Sequence, residues 1–217
     1  MIQLYKSPTP PKSLETGLQY NGQDVQKQLF ADQHSKCYIC EREVGTDYHI
    51  DHLCSQAQYP DKKTDWENLL LACSYCNQKK SNAYDQIVNP LGYPIETLIK
   101  QEVDFQRNIA TFESSTDKNV TGIDETIKLL SSVFNGRYPA RSVREEKFYN
   151  EFLSHINLFQ KACNQFLEER SEQAKQIVCE FLKEDQEFLG FKYWIIQSNQ
   201  ALQKTFHHCC QWNKDKN

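Results

Sequence analysis

The residues of this 217-residue chain whose types and spacing could do chemistry lie close together. Two C-x-x-C pairs, Cys37 with Cys40 and Cys73 with Cys76, bracket the stretch "YHIDHL", which carries His49, Asp51 and His52. A two-residue spacing lets a tight turn present two thiolates to one ion at about 2.3 Å each, so the four sulfurs read as a tetrahedral structural zinc site. Of the nine cysteines, five fall between residues 37 and 76, a pattern that points to metal rather than disulfides. A structural zinc site supplies an apparent folding free energy of roughly 10–16 kcal/mol in finger peptides, so its loss should unfold this part of the chain. Within the bracket, a carboxylate and an imidazole side by side suit either metal ligation or acid–base work, and these residues alone leave both open.

Several elements must position these groups. The 32 residues between Cys40 and Cys73 exceed a compact zinc ribbon, so the ion must staple the ends of something folded between them. "HIDH" reads as a strand, followed by the polar loop "CSQAQYPDKKTD", by "WENLLLAC", and by a helix carrying "NQKK". Upstream, Val25, Leu29 and Phe30 follow Asp24 at helical spacing, and "SPTPP" predicts an extended N-terminal arm that could form a partner contact when docked. Downstream, "NPLGYP" marks a boundary, the alternation from Val103 to Ile109 suggests a hairpin or edge strand, and "IDETIKLLSSVF" suggests a helix. From Arg141 onward, apolar residues recur every three or four positions, which predicts two or three long amphipathic helices. The expected fold class is α+β, mainly α, with an arm over residues 1–22, a zinc-bearing module over 23–90 and a mostly helical domain over 91–217.

A net charge of −4 is unusual for a protein that would hold nucleic acid by phosphate neutralisation alone, and the eleven Lys or Arg after residue 140 are matched by eleven Asp or Glu. No apolar run approaches a membrane-spanning length and no signal-like start is present, so no membrane association and a cytoplasmic location are expected.

The order of the motifs resembles the HNH nuclease family, with its ββα-metal core. Carried over onto this chain, the resemblance implies that Asp51 is a ligand of a catalytic Mg²⁺ or Mn²⁺, that His52 is the general base, and that Asn68 holds loop geometry. Asn77 stands where the family's last histidine would be, as in the branch that uses asparagine, and its carbonyl oxygen would suit a hard cation. Lys80 lies three residues on, on the same helical face, and could stabilise the phosphate. His49 is a possible further ligand or supporting partner, with a packing or surface role as the plainer reading. More narrowly, "CYICE", "HIDHLCSQAQYPDKKTDWENLLLACSYCNQKKS", "NPLGYP" and "TGIDETIKLL" look like the PtuB-type HNH subunits of Septu anti-phage defence systems, some of which accompany retrons. That resemblance implies a PtuA-like ABC-type ATPase partner, and beside a retron its reverse transcriptase and RNA–DNA. It leaves DNA as the first substrate, a structured RNA such as tRNA as the alternative, and a non-catalytic zinc-binding adaptor of an ATPase as the rival from another class. "HHCC" at His207 to Cys210 reads as structural, since adjacent helical residues diverge, and Tyr193 and Trp194 read as core or interface.

Overall fold

The 32-residue segment between the cysteine pairs folds into two antiparallel strands joined by a long loop. In the computed structural model, which describes residues 1–15, 19–116 and 120–212, this unit is preceded by a single turn, α1 (Lys12–Glu15), and by α2 (Gln23–Asp32). Strand β1 (Tyr48–His52) pairs with β2 (Leu69–Cys73) in the register Tyr48 with Cys73 and His52 with Leu69. All five residues of β2, "LLLAC", are buried, as expected of a short continuous apolar strand covered on both faces. Its outer edge would leave backbone groups unpaired. Instead the Gln33 side chain donates to the Leu71 carbonyl at 3.0 Å and accepts from the Leu71 amide at 2.8 Å, while the Tyr38 amide also reaches the Leu71 carbonyl. Helix α3 (Ser74–Lys80) begins at the end of β2, where the Cys73 sulfur accepts the Cys76 amide and so caps the helix.

The rest of the chain builds a scaffold behind this unit. A turn, α4 (Ile95–Leu98), leads into a hairpin of β3 (Ile99–Asp104) and β4 (Ile109–Ser114), followed by α5 (Ile123–Asn135). Phe105 and Arg107 fall in the turn of that hairpin rather than on a strand. Helix α6 (Val143–Glu169) opens on a capping box between Ser142 and Glu145 and at 27 residues spans about 40 Å. It is followed by α7 (Glu172–Phe181), α8 (Leu189–Gln197), α9 (Gln200–Phe206) and a 3₁₀ turn, His207–Cys210. Among the described residues the C-terminal third therefore holds one long helix and three short ones, with Ser171 and Asn199 starting new caps and residues 182–188 forming a further break inside what the periodicity alone reads as continuous helix.

Two apolar cores result. The larger contains the knuckle cysteines, β2, and the rings of Phe134, Phe148, Phe152, Phe188 and Phe191. The smaller gathers Phe159, Phe166, Val178, Leu202 and Phe206, and α6 runs through both. The larger core thus crosses "NPLGYP" rather than stopping there. The expected arm docks on its own chain. Met1 and Ile2 are buried, the Leu4 amide donates to the Pro90 carbonyl at 2.8 Å, and Lys6 donates to the carbonyls of Trp66 and, at 2.7 Å, Leu69. Residues 16–18 of that arm lie outside the described residues. No helix among the described residues is long and apolar enough to cross a membrane.

Candidate active site and metal centre

The first knuckle follows α2, with the Cys37 amide donating to the Arg42 carbonyl and the Glu41 amide to the Cys37 carbonyl. The second lies at the junction of β2 and α3. Their four Sγ atoms lie within 4.8 Å of one another, all four cysteines are buried, and Cys40 and Cys73 are 4.0 Å apart. A tetrahedron with 2.3 Å metal–sulfur bonds has edges of about 3.8 Å, so the donor set fits a zinc ion with little adjustment. Among the described residues no other group of three or more Cys, His, Asp or Glu has metal-site spacing.

The last two residues of β1, Asp51 and His52, turn inward and are buried. A carbonyl can only accept, so the 2.9 Å contact between His52 Nε2 and the Lys63 carbonyl places the ring proton on Nε2. Nδ1 is then the basic nitrogen, and the Gln56 amide donates to it at 3.1 Å. Burial lowers the His52 pKa below the ordinary imidazole value, which keeps the ring neutral and able to take a proton near pH 7. The Tyr20 ring meets the His52 ring edge-on, with centroids 4.8 Å apart.

Asp51 uses one oxygen inward. Its Oδ2 accepts the Tyr38 hydroxyl at 2.7 Å and lies 3.5 Å from Lys80 Nζ. Its Oδ1 has no hydrogen-bond partner among the described residues. Burial raises the carboxyl pKa, opposed chiefly by the Lys80 ammonium and the Tyr38 hydrogen bond. Asp51, His52, Asn77 and Lys80 line one cleft of about 420 Å³, with His49 on its rim. The side chain of Asn77 is likewise without a hydrogen-bond partner among the described residues, so two hard oxygen donors face the same space.

Asn68 is buried at the end of a 3₁₀ turn. Its Oδ1 accepts the Cys54 amide at 2.8 Å, and its Nδ2 donates to the carbonyls of Cys54 and Lys62, both at 3.0 Å. It therefore ties both ends of the loop whose far side presents the Lys63 carbonyl to His52. Lys80 differs from the phosphate-facing cation suggested by its helical position. It is 1% exposed, and Nζ donates to the His52 carbonyl at 2.8 Å while flanking Asp51. The short α3 packs its last turn under β1, which spends the ammonium on holding Asp51 and His52 in place. His49 is exposed.

Sequence reasoning missed Tyr38, Gln56 and Tyr20. Tyr38 has a visible signal, an aromatic residue inside a knuckle, whereas Gln56 and Tyr20 arrive through loop closure. It also missed a neighbour of "HHCC". Cys179 of α7 lies with its sulfur 3.2 Å from that of Cys209.

Residues 37–83 match the HNH endonuclease family model, which supports a nuclease of the HNH type. The matched segment holds both knuckles, β1, the loop, β2 and α3. No curated protein matches the chain.

Proposed function

We propose that the chain is a metal-dependent endonuclease that hydrolyses phosphodiester bonds in nucleic acid. The observation that carries this reading is the placement of His52, Asp51 and Asn77 around one cleft, with the Lys63 carbonyl at His52 Nε2 leaving Nδ1 as the basic nitrogen. Asp51 and Asn77 would hold a divalent cation, Mg²⁺ or Mn²⁺, which when bound supplies charge stabilisation at the scissile phosphate and the leaving oxygen. His52 Nδ1 takes a proton from water as the water oxygen attacks phosphorus, the bond from phosphorus to the leaving oxygen breaks and that oxygen takes a proton from solvent, and the Lys63 carbonyl holds the resulting imidazolium through Nε2–H. Gln56 must yield its hydrogen bond to that water. Lys80 and Tyr38 oppose the burial that raises the Asp51 pKa, and Asn68 keeps the Lys63 carbonyl in register.

The four-sulfur site staples this module with zinc. Our reading extends to an effector of Septu-like anti-phage defence working with an ABC-type ATPase. The net charge of −4 favours a partner that supplies cationic surface for the substrate. DNA is the first substrate to test and structured RNA the second.

The test is incubation of the purified chain, alone and with a candidate ATPase, with plasmid DNA and with tRNA in Mg²⁺ or Mn²⁺. Cutting should vanish with EDTA and fall by roughly 10²–10⁴ in His52→Ala. Full cutting by His52→Ala removes His52 as the base, and equal phage resistance of wild type and His52→Ala favours a non-catalytic adaptor.

A further inference from the structure

A second cleft of about 360 Å³ adjoins the catalytic one, and the two share Tyr20, His49 and Ile50 as a common wall. The remainder of the second cleft is formed by Asn21, Gln26, Thr46 and Tyr48, so among the described residues no Asp, Glu, Lys or Arg lines it. A phosphate would call for a cation there, whereas neutral aromatic rings and amides suit the faces and edges of a nucleobase. The wall is set in advance. The Tyr48 hydroxyl donates to Gln26 Oε1 at 2.6 Å, Gln26 Nε2 donates to the Asn21 carbonyl at 2.8 Å, and Phe30 backs the Tyr48 ring edge-on. Tyr20 joins the two clefts physically, since its ring touches the His52 ring, and Lys63 Nζ stands 5.9 Å from the Tyr20 ring centre, within reach of a phosphate attached to a base lying there.

We propose that this aromatic- and amide-lined cleft binds the base of an unpaired nucleotide next to the scissile phosphate, so that the substrate is single-stranded or looped nucleic acid rather than continuous duplex. The position of the scissile phosphate rests on the nuclease reading above. In a duplex the faces of that base are covered by its neighbours, and extruding it costs a few kcal/mol, which a single strand avoids. DNA and RNA offer the same base chemistry, and the test separates them.

Binding is read in the zinc-loaded full-length His52→Ala protein, so that nothing is cut, by fluorescence anisotropy. The probes are a short fluorescein-labelled DNA strand, the RNA strand of the same sequence, and the blunt DNA duplex. The expected result is tighter binding of at least one single strand than of the duplex, weakened about 5- to 150-fold by Tyr20→Ala and retained by Tyr20→Phe. Zinc content and circular dichroism confirm that each variant is folded. The proposal is overturned by equal binding of duplex and single strands, by no binding of any probe, by Tyr20→Ala binding as tightly as its His52→Ala parent, or by Tyr20→Phe failing along with Tyr20→Ala. Failure of the nuclease reading shows separately, as absence of His52-dependent cutting, because the binding assay involves no cleavage.

Discussion

Asp51 is a buried carboxylate whose two oxygens have different surroundings. Oδ2 is committed to the Tyr38 hydroxyl and the Lys80 ammonium, and this leaves Oδ1 to the cleft. Two substitutions separate orientation from charge. Tyr38→Phe removes one hydrogen bond and keeps the ring, so it should cost about 10- to 100-fold in affinity for the catalytic ion, read as the Mn²⁺ concentration giving half-maximal cutting, with zinc content unchanged. An unaltered Mn²⁺ requirement would show that Tyr38 does not orient Asp51. Lys80→Met strands a buried carboxylate and the His52 carbonyl together, and should cost about 3–5 kcal/mol of stability in urea denaturation. A loss below about 1 kcal/mol would place the ammonium in solvent instead. At this scale the four-cysteine cluster is legible because local spacing and residue type define it, whereas Asp51 and His52 are singled out only through the resemblance of the motif order. Tyr38's hydroxyl and Gln56 are not legible, because their partners are set by how a loop closes over a strand.

The loop between β1 and β2 and the junction of α3 with α6 are where elements depend on single side chains. Asn68→Ala leaves three loop groups of Cys54 and Lys62 without their partner, at a cost of about 1–3 kcal/mol. The freed loop carries Lys62 and Lys63, so trypsin should nick the variant there faster than wild type, and equal cleavage rates would remove Asn68 as the tie. At the junction, Lys79 of α3 donates to Glu145 of α6 at 2.6 Å and the Ser142 amide donates at 2.8 Å. Burial disfavours the charge, but these hydrogen bonds outweigh it and hold the Glu145 carboxyl at about 2. A depressed folded-state pKa stabilises fully above the unfolded value near 4.5 and loses that contribution as pH falls through about 2. The Tm gap between wild type and Glu145→Gln should therefore be widest near neutral pH and narrow steadily below about 4.5, and a gap that stays constant down to pH 3 would contradict the ionised junction. Long helices such as α5 and the first part of α6 are readable from apolar periodicity. The breaks at Ser171 and Asn199 are less so, since both residues also occur inside helices and only their cap geometry distinguishes them.

Across the whole molecule the question is whether zinc holds one core or two. The knuckle cysteines belong to the same apolar core as Phe134, Phe148 and Phe152, so an ion held by them would tie β1 and β2 to the body of the fold. The smaller core, spanning residues 159–210, is reached through α6. A unit of about 50 residues is marginal on its own, and its first helix is anchored at the other end in the larger core. With zinc contributing an apparent 10–16 kcal/mol against a domain stability of about 5–15 kcal/mol, chelation should unfold both cores together. None of the nine cysteines is in a disulfide, and their reactivity reports on this directly. Burial pushes the Cys163 and Cys210 thiols up to about 12, so in the folded protein both should react slowly with an alkylating reagent at neutral pH. After chelation, Cys163 and Cys210 should be alkylated at the same rate as Cys37, Cys40, Cys73 and Cys76, as read by peptide mass spectrometry. Continued protection of Cys163 and Cys210 while the four knuckle cysteines react would mean that the C-terminal core stands alone, and that zinc controls only the larger core.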